Sequence, residues 1–168
     1  MGESFLSKGK QVEYLFMKLL SKFGEVREAG VHEDIHEHWD VALQTLIDVK
    51  GLRKLKRSDE YPNENYHWIE LMNVNGKPGW VQGKADVIAF ETFDLWVLVE
   101  REKLLKFLMV KIENFEEFVD KPTLYKLYRR RGRLDAITLV KTLDLCYLAF
   151  CILSKIDIKN DDIKNDGL

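Results

Sequence analysis

The alternation of apolar and polar positions divides the chain into a first helix, a series of strands and a further helix. From Gln11 to Phe23, the residues Val12, Leu15, Phe16, Leu19 and Leu20 return on one face at helical spacing, which predicts an amphipathic helix. Ser7 or a neighbour is a candidate cap for its start, and Gly24 a candidate stop. Glu25 to Ala29 reads as a short strand, and the polar segment His32 to His38 as a loop entering the next one. His38 to Leu43 and Leu46 to Leu52 predict two strands joined by a tight connection near Gln44. Arg53 to Asn65 is charged, contains Pro62 and reads as a loop. Trp68 to Val74 predicts a strand, Asn75 to Gly79 a turn on its Asn-Gly and Pro-Gly pairs, and Trp80 to Gln82 a returning strand. Ala85 to Phe90 and Leu95 to Val99 follow as strands around a turn at Thr92 to Asp94. Arg101 to Glu113 has a helical pattern, and Ala136 to Val140 is β-branched enough for a final strand. Leu143 to Leu153 is apolar almost all round, which fits a buried helix or a subunit interface.

This pattern gives a lone acid-x-Lys segment a context. Residues two apart on a strand share a face, so Asp48 and Lys50 stand side by side while Ile47 and Val49 point to the opposite, buried side. Asp40 lies on the preceding strand. With a connection of three residues, 43 to 45, Asp40 falls opposite Asp48; a shift by one pair places it opposite Lys50. Either register keeps Asp40, Asp48 and Lys50 on one face. Facing carboxylates repel unless a cation neutralises them, and oxygen ligands favour magnesium or manganese. A cation held there lowers the pKa of bound water and stabilises charge on a phosphate oxygen, and a lysine beside it can assist the nucleophile. An acid-x-Lys pair on a solvent-facing strand is commonly no more than a weak surface ion pair. The internal character of this strand, the compatible acid on its neighbour and the following Gly51 favour the site reading.

Composition changes this picture little. The 168 residues suit one domain and a core that needs no disulfide or structural metal. A net charge of −2 does not advertise a nucleic-acid partner, although an acidic metal site would offset a basic surface in the sum. Cys146 and Cys151 match no metal spacing and read as buried reduced thiols, so the chain is expected in the cytosol. No signal peptide is evident, and the longest apolar run is too short to span a bilayer, so no membrane partner is expected. The repeat of Asp157-Ile158-Lys159-Asn160-Asp161 as Asp162-Ile163-Lys164-Asn165-Asp166 reads as a polar tail, 157–168, after a domain of residues 1–156.

The order of parts resembles the PD-(D/E)XK nuclease superfamily, in its Holliday junction resolvase-like members. Asp40 matches the first acid, Asp48-Val49-Lys50 the acid-x-Lys, and Glu13 the helix acid of resolvase-like members. Trp39 stands where a proline often precedes the first acid. The resemblance covers about the first half of the chain. It implies an α/β restriction-endonuclease-like core, a mixed central sheet flanked by helices, magnesium- or manganese-dependent cleavage of branched or duplex DNA, and a homodimer. Asp40, Asp48 and the Val49 carbonyl would then bind the metal and Lys50 would assist the nucleophile. Glu13 or Glu70 would complete the shell.

Other residues bear on a DNA partner. Arg129, Arg130, Arg131 and Arg133, interleaved with Tyr125 and Tyr128, form the clearest basic patch, suited to phosphates and stacked bases. Lys54 and Lys56, with Arg57, extend it. Trp80 is either a stacking platform or a core residue of a hairpin. Asp86 is either a turn residue or a substrate contact. Glu70 either joins the site or shares a less buried strand face with Met72. His32, His36 and His38 match no zinc spacing and read as a solvated loop, with His38 a lesser candidate beside the site. Two rival readings stand beside the nuclease: an inactive member of the fold that binds nucleic acid or protein, and a partner-binding protein with no nucleic-acid role, such as a small viral host-interaction factor; the small size and absence of targeting signals fit a phage or bacterial protein.

Overall fold

A computed structural model describes residues 8–21, 25–43 and 45–156. Ser7, Phe23, Gly24, Gln44 and the repeated tail lie outside the described residues. Helix α1 (Lys8–Leu20) sets Phe16, Leu19 and Leu20 against the first sheet, as their spacing predicts. That sheet takes strands β1 (Arg27–Glu28), β2 (Val41–Ala42), β3 (Leu46–Lys50), β5 (Val87–Glu91), β6 (Leu95–Glu100) and β10 (Cys151–Ser154), in the order β1-β2-β3-β5-β6-β10. A second sheet takes β4 (Tyr66–Met72), β9 (Ala136–Lys141), β8 (Leu127–Tyr128) and β7 (Phe118–Val119), in the order β4-β9-β8-β7. Helices α2 (Arg101–Lys111) and α3 (Thr142–Leu148) both pack on β6 of the first sheet, and α3 also on β9 of the second. The fold is therefore mixed α/β with two mixed sheets and a few helices, where the sequence predicts one central sheet.

The split has a topological cause. β3 and β5 are parallel, with Asp48 opposite Ile88 and Lys50 opposite Phe90. Parallel neighbours need a long crossover. Here the crossover is residues 51–86, and it contains β4, which pairs antiparallel with β9 instead of joining the first sheet.

Side-chain alternation then builds two cores. Val87, Ala89, Trp96 and Leu98 turn toward α1 with Ile47 and Val49. Ile88, Phe90, Val97 and Val99 turn the other way, onto Leu104 and Leu108 of α2, Ile69 of β4 and Val140 of β9. Asp48 and Lys50 share the parity of this second set.

Several predicted elements differ. Residues Glu33–Glu37 form a π-helical turn, not a loop; it ends at His38 in the left-handed region, φ 57°. That reversal buries Trp39 and shortens the predicted strand from His38 to Val41–Ala42. Trp80–Gln82 is a 3₁₀ turn, not a strand, because Gly79 lies directly against β4: a Cβ there would meet the Glu70 carbonyl oxygen at 2.2 Å. The apolar run Leu143–Leu153 is not one buried helix. It breaks at Ala149 and Phe150, and its second part returns as edge strand β10 on β6, after the strand expected to be last. Leu143, Tyr147, Phe150 and Ile152 are exposed. Both cysteines are free and half-buried, where full burial was expected. Among the described residues no helix is long and apolar enough to cross a membrane.

Phe16 is fully buried, with its ring 4.7 Å from that of Trp96. Truncating it leaves a cavity between α1 and the sheet. Phe16→Ala is expected to lose about 3–5 kcal/mol of unfolding free energy in a urea titration; a loss under 1 kcal/mol would show that α1 does not form this core.

Candidate functional site

The register of the β2–β3 hairpin decides the site. Val41 faces Ile47 and Ala42 faces Leu46, leaving residues 43–45 as the connection. Continuing that register sets Asp40 opposite Asp48. The Asp40 N–H donates to the Ile47 carbonyl at 2.8 Å, and its carboxylate Oδ2 accepts from the Val49 N–H at 2.6 Å. On a strand, a residue's N–H and C=O point the same way. The Val49 carbonyl is thus turned to the side where β2 has ended.

Asp48 is 2% exposed and its Oδ1 meets Lys50 Nζ at 2.5 Å. Its other oxygen, Oδ2, is buried with no donor. A protonated Asp40 is within reach to supply one. Both acids are raised. Burial, then the charge of Asp48, pushes Asp40 up to about 7, against the pull of the Val49 N–H and Lys50. Burial raises Asp48 too, opposed by Lys50. The physical situation is a pair of desolvated carboxyls with one negative charge too many at neutral pH.

Helix α1 closes the notch from the other face. Val12 packs on Gly51, where an added Cβ would sit 3.3 Å from its methyl group. The next residue, Glu13, lines the same pocket as Asp40, Asp48, Asp34 and His38, a cavity of about 320 Å³. Glu13 is raised by burial, and Lys10 at 2.7 Å pulls it back down. Asp34 and His38 reach the pocket because the π-helical turn folds back, which the loop reading of 32–38 missed.

Lys50 looks two ways. Its ammonium lies 4.6 Å from the centre of the Trp80 ring. On its far side opens a larger cleft of about 760 Å³, which shares Lys50, Gly51 and Arg53 with the acid pocket. Glu70 belongs to this cleft on β4, in the second sheet, and so stands apart from the Asp40–Asp48 notch. Burial raises its carboxyl, with Lys50 and then Arg130 opposing. Trp80 is half-buried and meets Phe90 edge-on, so it is both a core ring and a wall of the cleft. Asp86 is a structural residue: its Oδ2 accepts from the Leu46 N–H at 3.0 Å.

The basic patch divides. Arg130 and Tyr128 line the cleft, as do Lys54 and Lys56. Arg130 is held by Asp135, which is fully buried, takes the side chain in an ion pair and also accepts from the Arg130 N–H at 3.1 Å. Asp135 went unnoticed in the sequence; its position two residues after the arginine run is the only trace of it. Arg129 stacks on Phe118 at 3.9 Å, away from the cleft, and Arg131 and Arg133 are exposed on a turn. Tyr125 is no part of this surface. Its hydroxyl donates to Asp144 and accepts from the Lys141 N–H, and its ring packs on Phe107.

Asp40, Asp48 and Val49 line one pocket, and the orphaned Asp48 Oδ2 is an atom that a divalent cation would satisfy. Among the described residues no three His, Cys, Asp or Glu side chains converge as a ready-made cage. No family model, curated protein or solved structure matches the chain.

The sign of the pH effect follows from the raised acids. Between the ordinary carboxylate range and about 7, the folded chain holds a proton on Asp40 that the unfolded chain has lost. Stability therefore falls as pH rises through that window and stays low above it. In chelator-containing buffer, Asp40→Asn is expected to make this fall markedly shallower, gaining on the parent by a few kcal/mol at pH 8 relative to pH 4.5. Parallel pH profiles of thermal unfolding for the two proteins would refute the coupling.

Proposed function

We propose that the protein is a magnesium- or manganese-dependent endonuclease with a PD-(D/E)XK, restriction-endonuclease-like core, acting on DNA. The observation that carries this reading is the Asp40–Asp48 pair, buried face to face with Lys50 on the same strand face, at the mouth of a cationic cleft. Asp40, Asp48 and the Val49 carbonyl would hold the cation. When bound, it supplies a water of lowered pKa and neutralises charge on a phosphate oxygen.

The chain's own residues do the rest. A bound cation would take the place of the proton that Asp40 holds and would offset the repulsion between the two carboxylates. Lys50, released from Asp48, is placed to orient the attacking water and to balance charge as it develops. Glu13 adds a carboxylate from the helix side. Glu70, whose carboxyl Lys50 pulls down against the effect of burial, would accept a proton on the cleft side. Arg130, fixed by Asp135, and Lys54 and Lys56 would hold the phosphates on either side. A dimer would use the exposed apolar face of α3 and the free edge of β10.

One observation favours a second reading, an inactive relative that binds nucleic acid or protein: Asp48 is already neutralised by Lys50 at 2.5 Å. Two measurements separate the readings. The nuclease cleaves branched, duplex or single-stranded DNA with manganese, and Asp48→Ala and Lys50→Ala each lose about 100-fold or more. Manganese also raises the melting temperature of the parent at pH 8 and leaves that of Asp48→Ala unchanged. Intact cleavage in both variants sinks the mechanism. No cleavage and no manganese shift, with DNA still bound, selects the inactive relative.

A further inference from the structure

The cleft beside Lys50 has a composition of its own. One wall is the stretch from Arg53 to Arg57, and the other is built from β4, β8 and β9. The first wall is a built loop: the Asn63 N–H donates to the Arg53 carbonyl at 3.0 Å, the Lys56 N–H donates to Asp59 at 2.8 Å, and Trp68 Nε1 donates to the Lys54 carbonyl at 3.4 Å. Arg53, Lys54, Lys56 and Arg57 stand on it, all exposed. Among the described residues, none of these four forms an ion pair. Four neighbouring cations with no ion-pair partner repel one another, and a polyanion relieves them. Among the described residues, Glu70 is the one carboxylate lining the cleft.

Aromatic side chains face these cations. Tyr66, Trp68, Trp80 and Tyr128 line the same cleft, each half-buried, so each keeps some surface open to it. Cations alternating with aromatic walls suit a phosphate backbone with bases that stack on the rings. The rings decide which polynucleotide fits. In a duplex the base faces are covered by their neighbours, and only base edges show in the grooves. Rings recessed in a cleft cannot reach those faces. An unpaired strand can turn its bases in.

We infer that this cleft binds single-stranded polynucleotide, with the backbone along Arg53 to Arg57 and bases against Trp68 and Tyr128. Because the cleft shares Lys50, Gly51 and Arg53 with the acid pocket, the strand it holds runs past Asp48. The scissile phosphodiester is therefore in an unpaired strand, such as a free end, a flap or the open part of a junction. This last step rests on the nuclease reading above; the binding itself does not.

The test measures binding in chelator, where no cleavage occurs. Fluorescein-labelled oligodeoxyuridine, oligouridine and a blunt DNA duplex of equal length are titrated with the full chain and followed by anisotropy. At least one single strand is expected to bind ten times or more tighter than the duplex, with a log–log salt slope of about −3, the value for four cations on a single strand. The tighter of the two strands names the sugar. The double variant Lys54→Glu/Arg57→Glu changes only exposed side chains, and it is expected to lose tenfold or more in single-strand affinity. Trp68→Ala is expected to lose at least fivefold, and single-strand binding to quench tryptophan emission in the parent. Duplex binding as tight as single-strand binding, or unchanged affinity in the double variant, overturns the inference. Tight single-strand binding without metal-dependent cleavage keeps it and removes the nuclease reading; duplex cleavage without single-strand binding does the reverse.

Discussion

Asp40 and Asp48 face each other because the β2–β3 hairpin closes through three residues. Strand side chains alternate with a period of two, so a slip of one residue in that hairpin would send Asp40 to the α1 side. The apolar positions on both strands prevent the slip. Val41, Ile47 and Val49 all belong against α1, and turning them outward would cost several buried side chains at about 1.5–3 kcal/mol each. The hydrophobic core of one face thus enforces an electrostatically unfavourable pair at the edge of the other. The repulsion between the two acids is the constraint that their surroundings answer: the Val49 N–H takes one oxygen of Asp40, Lys50 takes one of Asp48, and one oxygen of Asp48 is left without a donor.

The parallel pairing of β3 with β5 is the second organising fact. It holds Asp48 and Lys50 on an inner strand, where their backbone cannot adjust, and it obliges the chain to leave the sheet between residues 51 and 86. That excursion supplies one wall of the cleft directly and, through β4, part of the other. Lys50 is the residue at which the two meet. Acids lie on one side of it, and cations and aromatic rings on the other. A single lysine thereby couples a place suited to a cation with a place suited to a polyanion.

Much of this was legible in the chain. The helical spacing of Phe16, Leu19 and Leu20, the alternation around Asp48 and the three-residue connection were enough to place Asp40, Asp48 and Lys50 on one face, and Glu13 on a helix before them. These are short-range matters, set by the 3.6 and 2.0 periods of the two regular structures. Errors fell where a tertiary contact overrode the local pattern. Trp80 reads as a strand residue until Gly79 is pressed against β4. His32 to His38 reads as a loop because its polar residues hide a helical turn whose end is set by burying Trp39. Leu143 to Leu153 reads as one helix because apolar composition alone does not distinguish a helix from a short helix followed by an edge strand.

What the sequence determined by itself was the acid-acid-lysine face, because register and parity follow from neighbours within a dozen positions. What only the tertiary structure decided was which distant groups share that face's surroundings. Glu70, a candidate for the same shell by sequence, lies in the second sheet and the cleft. Tyr125 left the basic patch to bond Asp144, while Arg130 stayed through a buried Asp135 that no motif marks. Arg53 to Arg57, an ordinary charged loop by composition, became a cationic wall opposite Trp68 and Tyr128. The physical reason is that crossovers and sheet order are fixed by the packing of two cores at once, and no local pattern of residues encodes where a returning strand will dock.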